Sequence, residues 1–138
     1  MAQLGETQDA TALVPGNPGI VRANAKTLDA RAASAESAGD GLIDIDIDTG
    51  AWQGKAGDAF CDKFSYGPTK WYDAANSLQT AANALTTYAD VLEWAQRQAV
   101  EAIRLWNEAE ARSEQARREY DQALAQAAPG QSVAPYVD

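Results

Sequence analysis

The sequence has 138 residues, 46% of them apolar, enough to bury one modest core and no more. Against 20 acidic residues stand 11 basic ones, a net charge of −9 and a pI near 4.4. That balance excludes nucleic acid as a partner, because phosphate binding needs clustered Lys and Arg, and it argues against anionic membrane surfaces. No apolar run approaches the ~20 residues of a transmembrane helix. The first ten residues, MAQLGETQDA, have neither a basic region nor an apolar stretch, so they are not a cleavable Sec-type signal peptide. Cys61 is the sole cysteine and histidine is absent. A Cys/His pair, a His-ligated zinc and most His-based acid–base chemistry are therefore excluded, and Cys61 reads as a small core residue.

Residues 1–16 are polar and end in Val14-Pro15-Gly16, so an extended N-terminal segment is expected there. Asn17 suits an N-cap and Pro18 a first helical residue, whose missing N–H would have had no partner anyway. From there Val21, Ala25, Leu28, Ala32, Ala35, Gly39 and Leu42 follow steps of four and three, one narrow stripe on one face. The spacing predicts a helix over about 18–46.

Leu42-Ile43-Asp44-Ile45-Asp46-Ile47-Asp48 then alternates apolar and acidic residues with a strand's period. No second strand exists to pair with it, so the stretch reads as a helix end passing into an extended connector. Asp44, Asp46 and Asp48 also match positions 1, 3 and 5 of an EF-hand loop, but its glycine falls at position 7 and Lys55 replaces the bidentate glutamate. A metal site is accordingly not expected, nor any cofactor.

Thr49 to Gly54 is a turn cluster, after which a helix is expected over about 55–66, with Phe60 and Phe64 four apart on one face. Pro68 interrupts it or opens the next helix. That next helix, about 68–127, carries the strongest pattern. Trp71, Ala75, Leu78, Ala82, Leu85, Ala89, Leu92, Gln96, Ala99, Ile103, Trp106 and Glu110 step by four and three, and ten of the twelve are apolar. Alanine on alternate layers lets a facing helix come close, and the equally small stripe on 21–42 is its natural mate. Beyond Ala109 the helix turns charged and solvated, and Ala128 to Tyr136 reads as a linker.

The expected fold is all-α: an elongated antiparallel helical hairpin or coiled coil, with its turn at 52–54. The domain plan is an N-terminal segment 1–16, a helical domain 17–127 and a linker 128–138. A first helix of about 28 residues spans roughly 42 Å, while the later helical material would span roughly 100 Å. Leu92, Trp94, Ile103, Leu105 and Trp106 would then face water unless residues 1–17 or another chain covered them, and a helical partner is the expectation for that surface.

At Trp52-Gln53-Gly54, set between two helices, the chain resembles the WXG100 (ESAT-6-like) superfamily of helical hairpins exported by type VII secretion systems. Further stretches follow in the same order: Leu4-Gly5-Glu6-Thr7, Leu13 to Pro18, Asp48 to Gly54 with Ala56, Ala59 and Phe60, Tyr88 to Gln96, and Ala102 to Trp106. Together they are similar to the N-terminal type VII secretion domain of actinobacterial polymorphic toxins, over roughly residues 3–127. The resemblance implies a non-enzymatic targeting module, recognised by the type VII secretion ATPase and paired with a WXG100-like partner or with itself. It also implies a toxin domain lying C-terminal to the module, and secretion from the cytoplasm without a cleavable signal peptide. One feature departs from the family: the Tyr-x-x-x-Asp/Glu export signal is not met, since Leu92 follows Tyr88 and Leu124 follows Tyr120. Trp106 and Glu110 are the nearest aromatic–acid pair and the candidate export signal.

Trp52 suits a packing role, its indole lying across the end of the hairpin, and Gly54 suits a backbone conformation that a Cβ forbids. The heptads alone would equally serve a structural oligomerisation module or cargo adaptor. Catalysis is not expected: a helical-bundle metal site needs Glu-x-x-His pairs, and Glu108, Glu110 and Glu114 lack the burial that catalytic carboxylates require.

Overall fold

A computed structural model describes residues 2–48 and 50–135. Four helices follow in order: α1 (Ala10–Leu13), α2 (Pro18–Ile43), α3 (Lys55–Ser65) and α4 (Gly67–Gln126). Among the described residues there is no strand, only an isolated bridge between Leu4 and Thr7. The chain is all-α. It divides into two compact units, Asn17–Val91 and the pair of segments Met1–Gly16 and Leu92–Asp138.

The first unit is an antiparallel hairpin of α2 against the first half of α4. Asn17 caps α2 as its composition predicts, its side chain accepting from the Ile20 N–H at 3.0 Å, with Pro18 at the first helical position. The buried face of α2 is Ala25, Ala32, Ala35 and Gly39, and on α4 it is Ala75, Ala82 and Ala89. These are the small positions of the two stripes, and no large side chain in the described chain is fully buried. The core is therefore a seam of closely spaced backbones rather than interlocking bulk. Polar pairs fix its register: Tyr72 with Asp40, Gln79 with Asp29 at 2.6 Å, and Arg22 with Asp90 at 2.8 Å.

Helix α2 ends at Ile43, about three residues before the expected end. Asp44 caps it in helical conformation and residues 45–48 have no regular structure, so the alternating stretch is a connector. Each Asp in that stretch would place a charge and each Ile an apolar side chain on both sides of a continuing helix; Ile43 and Ile45 are exposed and only Ile47 is half-buried. Asp48 spends its Oδ1 on the Gly50 and Ala51 N–H groups, a local turn. Thr49 lies outside the described residues. Pro68 occupies the second position of α4, so the chain needs only Tyr66 between α3 and α4, and Leu42 at the end of α2 meets the start of α4 at Gly67.

Tyr72 gives this unit a measurable marker. Its hydroxyl donates to Asp40 Oδ1 at 2.5 Å, beside the close approach of Gly39 to its ring. The hydrogen bond to the carboxylate, and then the nearby acids, raise the phenol above the ordinary tyrosine range. A raised pKa means that the folded state favours the protonated phenol, so its contribution is present below the unfolded pKa and is lost as pH rises through the folded one. Absorbance titration near 295 nm should show one late-ionising tyrosine that disappears in Tyr72→Phe. The stability gap between wild type and variant should close above that transition; a gap independent of pH would refute the assignment.

Candidate functional site

The bend between α2 and α3 places the first group of predicted residues. Gly54 is the N-cap of α3 with φ +97°, in the left-handed region that L side chains rarely adopt. A Cβ there would meet nothing within 4 Å, so conformation, not crowding, demands glycine. Gly57, one turn further on, is the reverse case. It is buried, and a Cβ on it would come within 2.4 Å of the Trp52 carbonyl oxygen. The motif at the bend is thus Trp52, Gly54 and Gly57. The sequence signal for Gly57 is its place three residues after Gly54, inside a helix that otherwise has no reason to hold a glycine.

Trp52 packs at a tilt of 40° against Phe60, ring centroids 4.9 Å apart, and Phe60 stacks on Phe64 at 5.8 Å. The expected packing of Trp52 across the hairpin's end is only half met: the residue is 48% exposed, and its contact is to α3. Physically, α3 is an 11-residue excursion with one buried position, too lightly anchored to enclose an indole. Cys61, on the same helix, is half-buried rather than a core residue, on the one side of α3 that also carries buried Gly57 and half-buried Phe64.

The second group lies in the other unit, where the N-terminal segment straps onto the second half of α4. Residues 2–16 are not wholly extended: Asp9 caps one turn of helix, α1, by accepting from the Thr11 N–H and hydroxyl, which lowers its carboxyl below the usual range. Gln8 and Asn107 pair amide to amide through two hydrogen bonds, 3.1 and 2.7 Å. Gln96, one of the two polar exceptions in the apolar series, donates to the carbonyls of Val14 (3.1 Å) and Gly16 (2.9 Å). Gly16, at φ +138°, lies against Leu92, and Gly5 lies against the indole of Trp106.

This strap divides the residues expected to face a partner. Leu92 and Ile103 are buried within the chain, because they share the helix face on which Gln96 meets the strap, and so do not belong to an outer surface. Trp94 and Leu105, on another side of α4, are 56% and 52% exposed, and Trp106 keeps 41% of its surface despite Gly5. Glu110 is exposed one turn beyond Trp106, so the aromatic–acid pair is accessible on a single face. Trp52 and Gly54 therefore sit in one compact unit, and Trp106 and Glu110 in the other.

Along α4 the charged residues pair within the helix. Arg104 holds Glu101 at 2.6 Å and also Glu108, Arg97 reaches Glu93 and Arg112 reaches Glu108, each at 3.6 Å. The Arg104 hydrogen bonds lower Glu101 below the usual carboxylate range. Among the described residues no three metal-capable side chains gather, and no helix is long and apolar enough to cross a membrane. The cavities are shallow; one is a polar groove of about 180 Å³ between α2 and α4 beside Asp29, Tyr72 and Gln79.

Comparison with known proteins adds one finding. A family model described as "Putative T7SS secretion signal domain" matches residues 1–132. No curated protein and no solved structure matches the chain. The match takes in the strap, the bend and nearly all of α4, 132 of 138 residues, and the chain belongs to this family of type VII secretion signal domains.

Proposed function

We propose that this chain is a non-enzymatic targeting and partner-binding module of the WXG100-like kind, carrying a larger secreted protein of the toxin class from the cytoplasm through a type VII system. The observation that carries the reading is the bend, where Trp-x-Gly sits between two helices with its glycine at φ +97° and its tryptophan half-exposed. A buried tryptophan would serve stability alone. A half-exposed one, with Phe60 tilted against it, also offers an aromatic contact at a defined angle. Trp106 and Glu110 supply an accessible aromatic–acid pair for the secretion ATPase. A helical partner, WXG100-like or a second copy, completes the assembly. No histidine is present to act as base or ligand, and the module has no catalytic task in this reading.

The test is export of the chain fused to a reporter from a type VII-competent host, comparing culture filtrate with lysate. Trp52→Ala combined with Gly54→Val, and separately Trp106→Ala with Glu110→Ala, should each cut export at least tenfold, with the purified variants still helical. A host lacking the secretion ATPase should retain the fusion. Export unchanged in all three would leave only the alternative, a structural oligomerisation module or cargo adaptor.

A further inference from the structure

The tip of the strap is a turn held by its own bonds. The Glu6 N–H donates to the Gln3 carbonyl at 3.1 Å, the Gln3 N–H donates to the Glu6 carboxylate at 2.9 Å, and Gly5 sits at the corner with φ +91°. From behind, the Ala2 N–H closes the loop on the Ala12 carbonyl at 3.2 Å. Two residues of this loop meet two adjacent residues of α4. Gly5 lies against the Nε1 side of the Trp106 indole, and Gln8 pairs with Asn107. A Cβ on Gly5 would fall 2.9 Å from both Cε2 and Cζ2 of that ring and 3.1 Å from Nε1. We propose that the Gly5 turn is a positioning element for Trp106, fixing the indole in the orientation in which it is read together with Glu110.

An exposed tryptophan on a helix turns freely about its terminal torsion, whose wells are broad. Trp106 keeps 41% of its surface, yet one side of its ring is closed by backbone rather than by a mobile side chain. That backbone is held by the bonds of its own turn and by the amide pair one residue along the helix, so the indole rests on a fixed wall. A side chain ordered before contact spares the complex that cost, which is why rigid aromatic anchors bind better than free ones. Glycine at position 5 answers two demands. Its φ lies where L side chains rarely go, and its missing Cβ leaves the space that the ring fills. Gly130 shows the first demand by itself, with φ +87° and nothing within 4 Å of a Cβ. Only the indole accounts for the second. The wall also leaves the outer part of Trp106 open, with Glu110 one turn beyond it on the same face.

The inference rests on Trp106 and Glu110 being the pair that the secretion machinery reads, and adds what holds that pair in shape. The test labels the chain with fluorotryptophan, which gives one fluorine resonance for each of its four tryptophans, and Trp106→Phe assigns the signal that matters. Gly5→Ala should shift or broaden the Trp106 signal while those of Trp52 and Trp71 stay in place. The same variant should cut export of the reporter fusion about fivefold, a smaller loss than removing Trp106 and Glu110. Gly5→Asn, which a positive φ accepts more readily but which carries the same Cβ, should match it in both readouts. Gly130→Ala, as strained and touching nothing, should change neither. A Trp106 signal indifferent to both Gly5 variants overturns the inference, as does a shift spread over all four tryptophans, which marks a general loosening. It is overturned too if the Trp106 signal moves and export holds, while Trp106→Ala with Glu110→Ala is not exported. Export that survives Trp106→Ala with Glu110→Ala overturns the reading of the pair and this inference with it. The fluorine shift, measured without export, tells the two failures apart.

Discussion

Gly57→Ala should destabilise the protein by about 1–3 kcal/mol, while Gly41→Ala should stabilise it by about 0.5–1 kcal/mol. Both glycines lie in helices, so intrinsic propensity alone predicts a gain at each. Their surroundings differ. At Gly41 a Cβ meets nothing within 4 Å, and the gain is kept. At Gly57 it lands 2.4 Å from the Trp52 carbonyl oxygen, well inside contact distance. That oxygen belongs to backbone leading into Gly54, whose φ of +97° leaves little freedom to retreat. The overlap therefore outweighs the propensity term. Urea unfolding followed by circular dichroism measures both, and two changes of the same sign would show that the bend is not packed as described.

The second large effect concerns the seam. Ala82 and Ala89 are almost wholly inaccessible, at 1% and 0% exposure. Replacing either with leucine keeps helix propensity nearly constant, so any loss is packing. The pairs Arg22–Asp90 and Gln79–Asp29 set both sites against the stretch of α2 whose buried positions are Ala25 and Ala32, and three added carbons per site have nowhere to go without separating the helices. Each substitution should cost about 2–3 kcal/mol, and the pair should lower the melting temperature by on the order of 10 °C or more. Val91→Leu, exposed on the same helix, is the control and should change stability by less than about 0.5 kcal/mol. Tolerance of leucine at both sites would mean that the helices do not meet through these alanines.

Much of this architecture is written in the spacing of small residues. The steps that pick out Ala25, Ala32, Ala35 and Gly39, and Ala75, Ala82 and Ala89, find the buried seam because a face shared by two helices must repeat about every seven residues. Cap chemistry at Asn17 and Pro18 places the start of α2 for the same local reason. The strap is invisible to such a reading. Residues 2–16 have no period, and their hold on α4 runs through single amides, Gln8 to Asn107 and Gln96 to Val14, over 99 and 82 residues of chain. Gln96 stands in the apolar series as an unexplained polar residue until its carbonyl partners are seen. Gly57 is flagged only as a glycine inside a helix, since the close approach that demands it is a fact of three dimensions. At the candidate site, Trp52 and Gly54 are legible as a motif. Leu92, Ile103, Trp94 and Leu105 are legible only as apolar, and which of them face inward depends on the strap.

In each unit the polar clasps nest along the sequence. Tyr72 and Asp40 are 32 residues apart, Gln79 and Asp29 50, Arg22 and Asp90 68, Gln96 and Gly16 80, Asn107 and Gln8 99. Within each unit, closing one clasp brings the next pair near, so after the first loop each later one adds little entropic cost. Disassembly runs the other way. A tug on either end of the chain loads the outermost clasp alone, then its neighbour, and never the whole set at once. Each unit therefore yields to traction one rung at a time.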